Sequence, residues 1–142
     1  MRNALTAVGI VAALSGCAPM QYSRALQDLN NTSINEVGIY ASTVKDFLYA
    51  GHTEDEAIDA GKRSVIAVLK DGESARFRNV HLKPYLQGAV VCGEVNAKNS
   101  YGGYVGFTRF AAGISGAMLE DTSSRRSDIN SASNAGIDVA CR

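Results

Sequence analysis

The sequence predicts an α+β domain, with about two helices packed on one face of a small antiparallel sheet of three to four strands. Three observations lead there. Apolar residues recur at helical intervals in residues 33–51. A second stripe, in residues 53–72, opens on a helix-capping signal. After Gly72 the period changes to short runs of β-branched and aromatic residues divided by Gly, Asn and Pro.

In residues 33–51, Ile34, Val37, Tyr40, Val44, Phe47 and Leu48 return every three or four positions, and Gly51 is the stop signal. The next helix begins at Thr53-Glu54-Asp55-Glu56. This is a capping box: the Thr53 hydroxyl can accept from the Glu56 amide while the Glu56 carboxylate reaches back. Three acids in that first turn also suit the positive end of the helix dipole. Ile58, Val65, Ile66 and Leu69 form its stripe, with Ala57, Ala60 and Gly61 as small neighbours, and Asp71-Gly72 ends it. A glycine inside a helix costs about 1 kcal/mol relative to alanine, so Gly61 is expected to permit a close approach of another element.

Residues 75–82, ARFRNVHL, read as the first strand, with Pro84 closing it or sitting at a sheet edge. Residues 88–97 give the second strand and residues 101–113 the third. Residues 114–122 are a short fourth strand or a loop. Residues 121–134 are polar and turn-rich and are expected to be a loop, and residues 136–141 are expected to return as an edge strand. Between the second and third strands Asn99 suits the turn, because asparagine makes local Asx bonds. Gly102, Gly103 and Gly106 are poor strand formers unless a bulge or a close approach needs them. Tyr101, Tyr104, Phe107 and Phe110 are expected to cover their bare backbone.

The chain has 142 residues, one domain's worth, and its 14 Lys+Arg balance its 14 Asp+Glu. With no basic excess and no basic–aromatic stripe, no nucleic-acid partner is expected. GGYVG follows no strand-to-helix step, so it is not a phosphate loop. His52 and His81 fall in different elements and lack metal-ligand spacing, so no metal and no cofactor are expected.

The N-terminus is the most specific signal. Arg2 supplies a short positive region. Residues 4–14 are an apolar run of signal-peptide length, too short to span a bilayer. The run ends in Leu14-Ser15-Gly16-Cys17, which resembles the lipobox of bacterial lipoproteins. The alternative is an apolar helix with a chance cysteine. The resemblance implies cleavage before Cys17 and lipidation of its sulfur, whose thiolate is the nucleophile. Several acyl chains, at about 0.8 kcal/mol per buried methylene, then hold the protein to a membrane. Ala18, rather than Asp, follows the cysteine; by resemblance to Gram-negative lipoproteins this implies the outer membrane, with the domain facing the periplasm or the cell surface. Residues 1–16 would be the signal peptide and residues 17–32 the lipidated N-terminus with a polar stretch, a tether or a short helix, that reads best as a spacer; residues 33–142 would be the domain.

With Cys17 lipidated, Cys92 and Cys141 remain, and two thiols in an exported domain are expected to pair. The alternatives are a buried free Cys92 and a reduced Cys141. A Cys92/His81 nucleophile pair would instead make a small hydrolase.

Strand alternation places Cys92, Glu94 and Asn96 on one face, and Arg76 and Arg78 share a strand face. Glu94 is expected to pair with Arg76, Arg78 or Arg109, as a register-fixing ion pair or as part of an anion site. The candidate binding surface is Arg76, Arg78, Glu94, Asn96, Lys98, Asn99, Tyr101, Tyr104 and Arg109. GESARFRNV and CGEVNAKNSYGGYVGF, within residues 72–110, resemble a block shared by small exported proteins of Gram-negative bacteria and their prophages. The expected role is non-enzymatic: binding an envelope protein or a cell-wall partner, or altering the host surface as a prophage product by blocking a receptor.

Overall fold

The computed structural model describes residues 18–142; the lipobox, Cys17 and the segment before it lie outside them. The fold is α+β, built on a four-stranded antiparallel sheet in the order β1-β2-β3-β4. Helix α1 spans Ala18–Tyr49 and α2 spans Glu54–Val68. A 3₁₀ turn, Gly72–Ser74, leads into β1 (Arg76–Tyr85), β2 (Gly88–Asn96), β3 (Thr108–Ala112) and β4 (Ala117–Leu119). Two short helices close the chain, α3 (Ser127–Ser133) and α4 (Ala135–Ala140).

The expected first helix is therefore the second half of a longer one. Residues 18–32, read as a spacer, are helical. Pro19 falls in the first turn, where its missing N–H leaves no helical bond unmade. This half is held from the side: Tyr22 donates from Oη to Asp128 Oδ2 at 2.6 Å, and the Arg126 guanidinium lies 4.3 Å from the Tyr22 ring centroid. Helix α2 follows its capping signal, with Glu56 N donating to Thr53 Oγ1 at 3.2 Å and Thr53 N to Glu56 Oε2 at 2.8 Å.

The helices cover both faces of the sheet rather than one. On one face Val90, Cys92 and Ala111 pack under Val37, Tyr40 and Ala41 of α1 and Ile137 and Ala140 of α4. On the other, Val91, Val95, Phe110 and Ala112 pack against Val65 of α2. Phe110 is fully buried and meets Phe77 edge-on at 5.9 Å between ring centroids. Two contacts set the layer spacing. A Cβ on Gly61 would lie 2.7 Å from Val91 Cγ2, so the close approach expected of this glycine is present. A Cβ on Gly136 would collide with the Ser33 carbonyl oxygen, and in its absence α4 presses onto α1.

The C-terminal expectations need correction. Residues 136–140 belong to a helix capped by Cys141 and not to an edge strand, and half of the preceding polar loop is taken by α3. Neither helix has a side-chain cap bond at its start. Tertiary contacts hold them: Gly136 N donates to Ser33 Oγ, Ser33 Oγ donates to the Ser133 carbonyl, and Asn134 bonds both the amide and the carbonyl of Asp121. Ile137 is fully buried. The third strand is also shorter than expected, because residues 101–107 are loop. Pro84 lies on β1, an edge strand, where a missing donor is tolerated.

Candidate functional site

On its α1 side the sheet is covered only in part. Past Cys92, β2 continues to the half-buried Glu94 and Asn96, and the neighbouring strands bring charge to the same patch. The β1–β2 register pairs Arg76 with Asn96 and Arg78 with Glu94. Across the other edge Glu94 pairs with Arg109. Of the three arginines considered for Glu94, Arg78 takes it. Its Nε donates to Oε2 at 2.9 Å and its Nη2 to Oε1 at 2.8 Å, the two-pronged geometry that suits a carboxylate. A third donor comes from a bulge between Arg78 and His81, where Asn79 takes a positive φ of 54° and sends Nδ2 to Glu94 Oε2 at 3.0 Å. These donors hold the Glu94 carboxyl below its ordinary range, Arg78 first.

Arg109 turns elsewhere. It donates to Glu120 Oε1 from Nη2 at 2.6 Å and to Asp138 Oδ1 from Nη1 at 2.9 Å, so β3, the end of β4 and α4 share one ion network. Glu120 is likewise held below the usual carboxylate range by Arg109. The charges of Arg78 and Arg109 are thus largely balanced by protein carboxylates.

The loop after β2 closes over the patch. It begins as a hairpin: Lys98 and Tyr104 form an isolated antiparallel bridge, and Asn99 N donates to the Gly103 carbonyl at 2.9 Å. Asn99 Oδ1 accepts from Tyr101 N at 2.9 Å and Gly103 N at 3.2 Å, the Asx bonding expected of it. Gly102 (φ 80°) and Gly106 (φ 108°) take conformations that side chains disfavour, which ends any strand here. Asn96 Oδ1 accepts from Gly106 N at 3.2 Å. Ser74 pins the loop from below: its Oγ accepts from Lys98 N at 2.8 Å and its carbonyl accepts from Tyr104 Oη at 3.1 Å.

Phe110 covers glycine backbone across the strands as expected, lying over Gly93 opposite it, but no aromatic among the described residues covers the loop glycines Gly102, Gly103 and Gly106. Tyr104 lies under Arg76, 4.6 Å from guanidinium carbon to ring centroid, and Phe107 under Arg78 at 3.8 Å. Phe110 is in the core. Tyr101 touches little and is 96 % exposed at the loop tip, where Lys98 and Asn99 are exposed too. All nine residues of the predicted surface thus belong to one end of the sheet and its covering loop. Asn96 and Asn99 act there as backbone clamps; Lys98 and Tyr101 are its outward groups.

Cys92 and Cys141 are bridged, with Cα atoms 5.6 Å apart, so the tail after α4 is fastened to the sheet. His81 stands opposite Cys92 in the register and bonds the Asn79 carbonyl through Nδ1 at 2.9 Å. With its sulfur in the bridge, Cys92 offers no thiolate to that imidazole. Among the described residues no group of three or more His, Cys, Asp or Glu side chains is placed to hold a metal ion, and no helix is long and apolar enough to cross a membrane. Comparison of the chain with protein-family models, with curated proteins and with solved structures finds no match.

Proposed function

We propose that this chain is an outer-membrane-anchored lipoprotein that acts as a non-enzymatic binding or structural protein of the envelope. It meets a protein or cell-wall partner through the loop that carries Lys98, Asn99 and Tyr101. The observation that carries the reading is Leu14-Ser15-Gly16-Cys17 at the end of an apolar run of signal-peptide length. The Cys92–Cys141 bridge supports it, because such bonds persist in oxidising compartments and are rare in the cytosol. The exposed Tyr101 supports the choice of surface, since an aromatic at a pinned loop tip offers contact area at little ordering cost.

The test is intact mass of the membrane-extracted protein, with and without reductant. The expected species begins at Cys17, carries diacylglycerol and a further acyl chain, and gains two hydrogens on reduction. A product that begins at Met1 without fatty acid sinks the anchor. A second reading, a prophage product that alters its host's surface, has the resemblance of residues 72–110 in its favour. Phage structural or lysis genes beside the coding sequence would support it.

A further inference from the structure

A cavity of about 280 Å³ lies on the α2 side of the sheet, behind the loop. Leu69, Val95 and Leu119 form much of its interior, and Val105 walls it from the loop. Two cations stand in its lining, from different elements: Lys70 just past α2 and Lys98 just past β2. Neither makes an ion pair with a carboxylate among the described residues. Lys70 Nζ reaches only Ser100 Oγ, at 3.3 Å, and Lys98 Nζ lies 5.8 Å from the Tyr104 ring centroid. The carboxylate in the lining, Glu120, is taken up by Arg109. The lining therefore combines apolar side chains with two lysines, at its rim, that have no carboxylate partner.

Three further cavities among the described residues lack that combination. One of about 280 Å³ beside α1 is lined by a single lysine, Lys45, which pairs with Asp46. A 290 Å³ groove by Leu82 and Pro84 is lined by both Lys45 and Glu54, so it favours neither sign. The 140 Å³ hollow beside the disulfide is lined by Glu94 and Arg109, both engaged with protein partners.

We propose that this cavity binds a small organic anion, with a single ring or short acyl segment against Val95, Val105 and Leu119 and a carboxylate or phosphate between Lys70 and Lys98. Ligand pockets are mostly apolar with a few placed polar groups, at roughly 300–1,000 Å³. This one is at the low end, too small for a phospholipid or a folded peptide. The site is preorganised because its loop wall is pinned by Asn96, Asn99 and Ser74. The inference does not depend on the lipid anchor, so the mass measurement and the experiment below can fail independently.

The experiment is a nuclear magnetic resonance titration of the protein with 4-phenylbutyrate, with 4-phenylbutan-1-ol as the uncharged control. Saturable shifts are expected at Val95, Val105 and Leu119 with millimolar or tighter affinity, weakening as salt rises. The alcohol should bind at least tenfold more weakly. K70Q/K98Q should weaken the carboxylate about tenfold and leave the alcohol unchanged. Val105 is 71 % exposed, so V105E keeps the fold and should abolish carboxylate binding by placing a like charge at the wall. No saturable shift up to 10 mM (roughly the weak limit for so small a ligand), equal binding of acid and alcohol, or indifference to the lysine substitutions would each overturn the proposal.

Discussion

On its α1 side, strand β2 crosses two environments within a few residues. Val90 and Cys92 are buried beneath α1 and α4, and Cys92 is bonded to Cys141. Two and four positions further on, Glu94 and Asn96 meet arginine, asparagine and a loop amide. The first region is fixed by apolar burial, which has no direction, and by a covalent link. The second is fixed by directed bonds close to solvent, which stabilise far less than the burial beneath them. The difference predicts two separable stabilities: the loop should open at lower cost than the helices and strands beneath, as expected of regions with few buried apolar contacts.

The largest effect should come from breaking the covalent link. Reduction, or replacement of Cys92 and Cys141 by Ser, frees a loop of 49-residue separation. The chain-entropy model gives a loss of about 4 kcal/mol. Thermal unfolding with and without reductant should show the midpoint fall by more than 10 °C, taking a few degrees per kcal/mol for a domain of this size (roughly 4 °C). An unchanged midpoint would mean that burial alone holds the C-terminal helices. A smaller and local effect is expected from Asn99→Ala, which removes the acceptor of two loop amides. Hydrogen exchange in residues 97–106 should accelerate about fivefold, for a local loss of about 1 kcal/mol, with the global midpoint nearly fixed. If the midpoint falls as far as on reduction, the two regions are one cooperative unit.

The smallest effect is expected from Glu94→Gln. This pair is exposed to solvent, and such pairs add little. The Glu94 carboxyl is held below its ordinary value of 4.5, so its contribution is complete above that pH and is lost as pH falls through the lower, folded value. The difference between wild type and variant, measured by denaturant titration, should therefore be small at pH 7 and begin to shrink below pH 4.5.

Much of the first region was written in local signals. The Thr53–Glu56 box marked the start of α2, and the change of period after Gly72 marked β1 and β2. The N-terminal half of α1 was legible only as one of two alternatives: Tyr22, Leu26, Leu29, Ser33, Val37, Tyr40 and Val44 form one unbroken stripe at spacings of three and four, obscured by the polar residues between them. Helices α3 and α4 were not legible. Gly136-Ile137-Asp138-Val139 is too short to show a period, and what makes it helical is distant in sequence, namely Ser33 and the sheet. At the site, alternation put Arg78 and Glu94 within reach of each other, but which arginine wins depends on the Asn79 bulge, and no local pattern announces that. Residues 101–107 looked like a strand because aromatic residues and glycines are interspersed; the positive φ angles at Gly102 and Gly106 decide otherwise.

Helix α1 is described from Ala18, the residue after Cys17, to Tyr49. Only a turn further on, Tyr22 is fastened to Asp128 and Arg126 near the other end of the chain. Were Cys17 acylated as proposed, the fold would therefore stand on its foot with no slack rope beneath it, and its tilt above the lipid would be narrowly set. Inserting a run of Gly and Ser between Cys17 and Tyr22 would lengthen that leash by up to about 3.5 Å per residue and free the tilt.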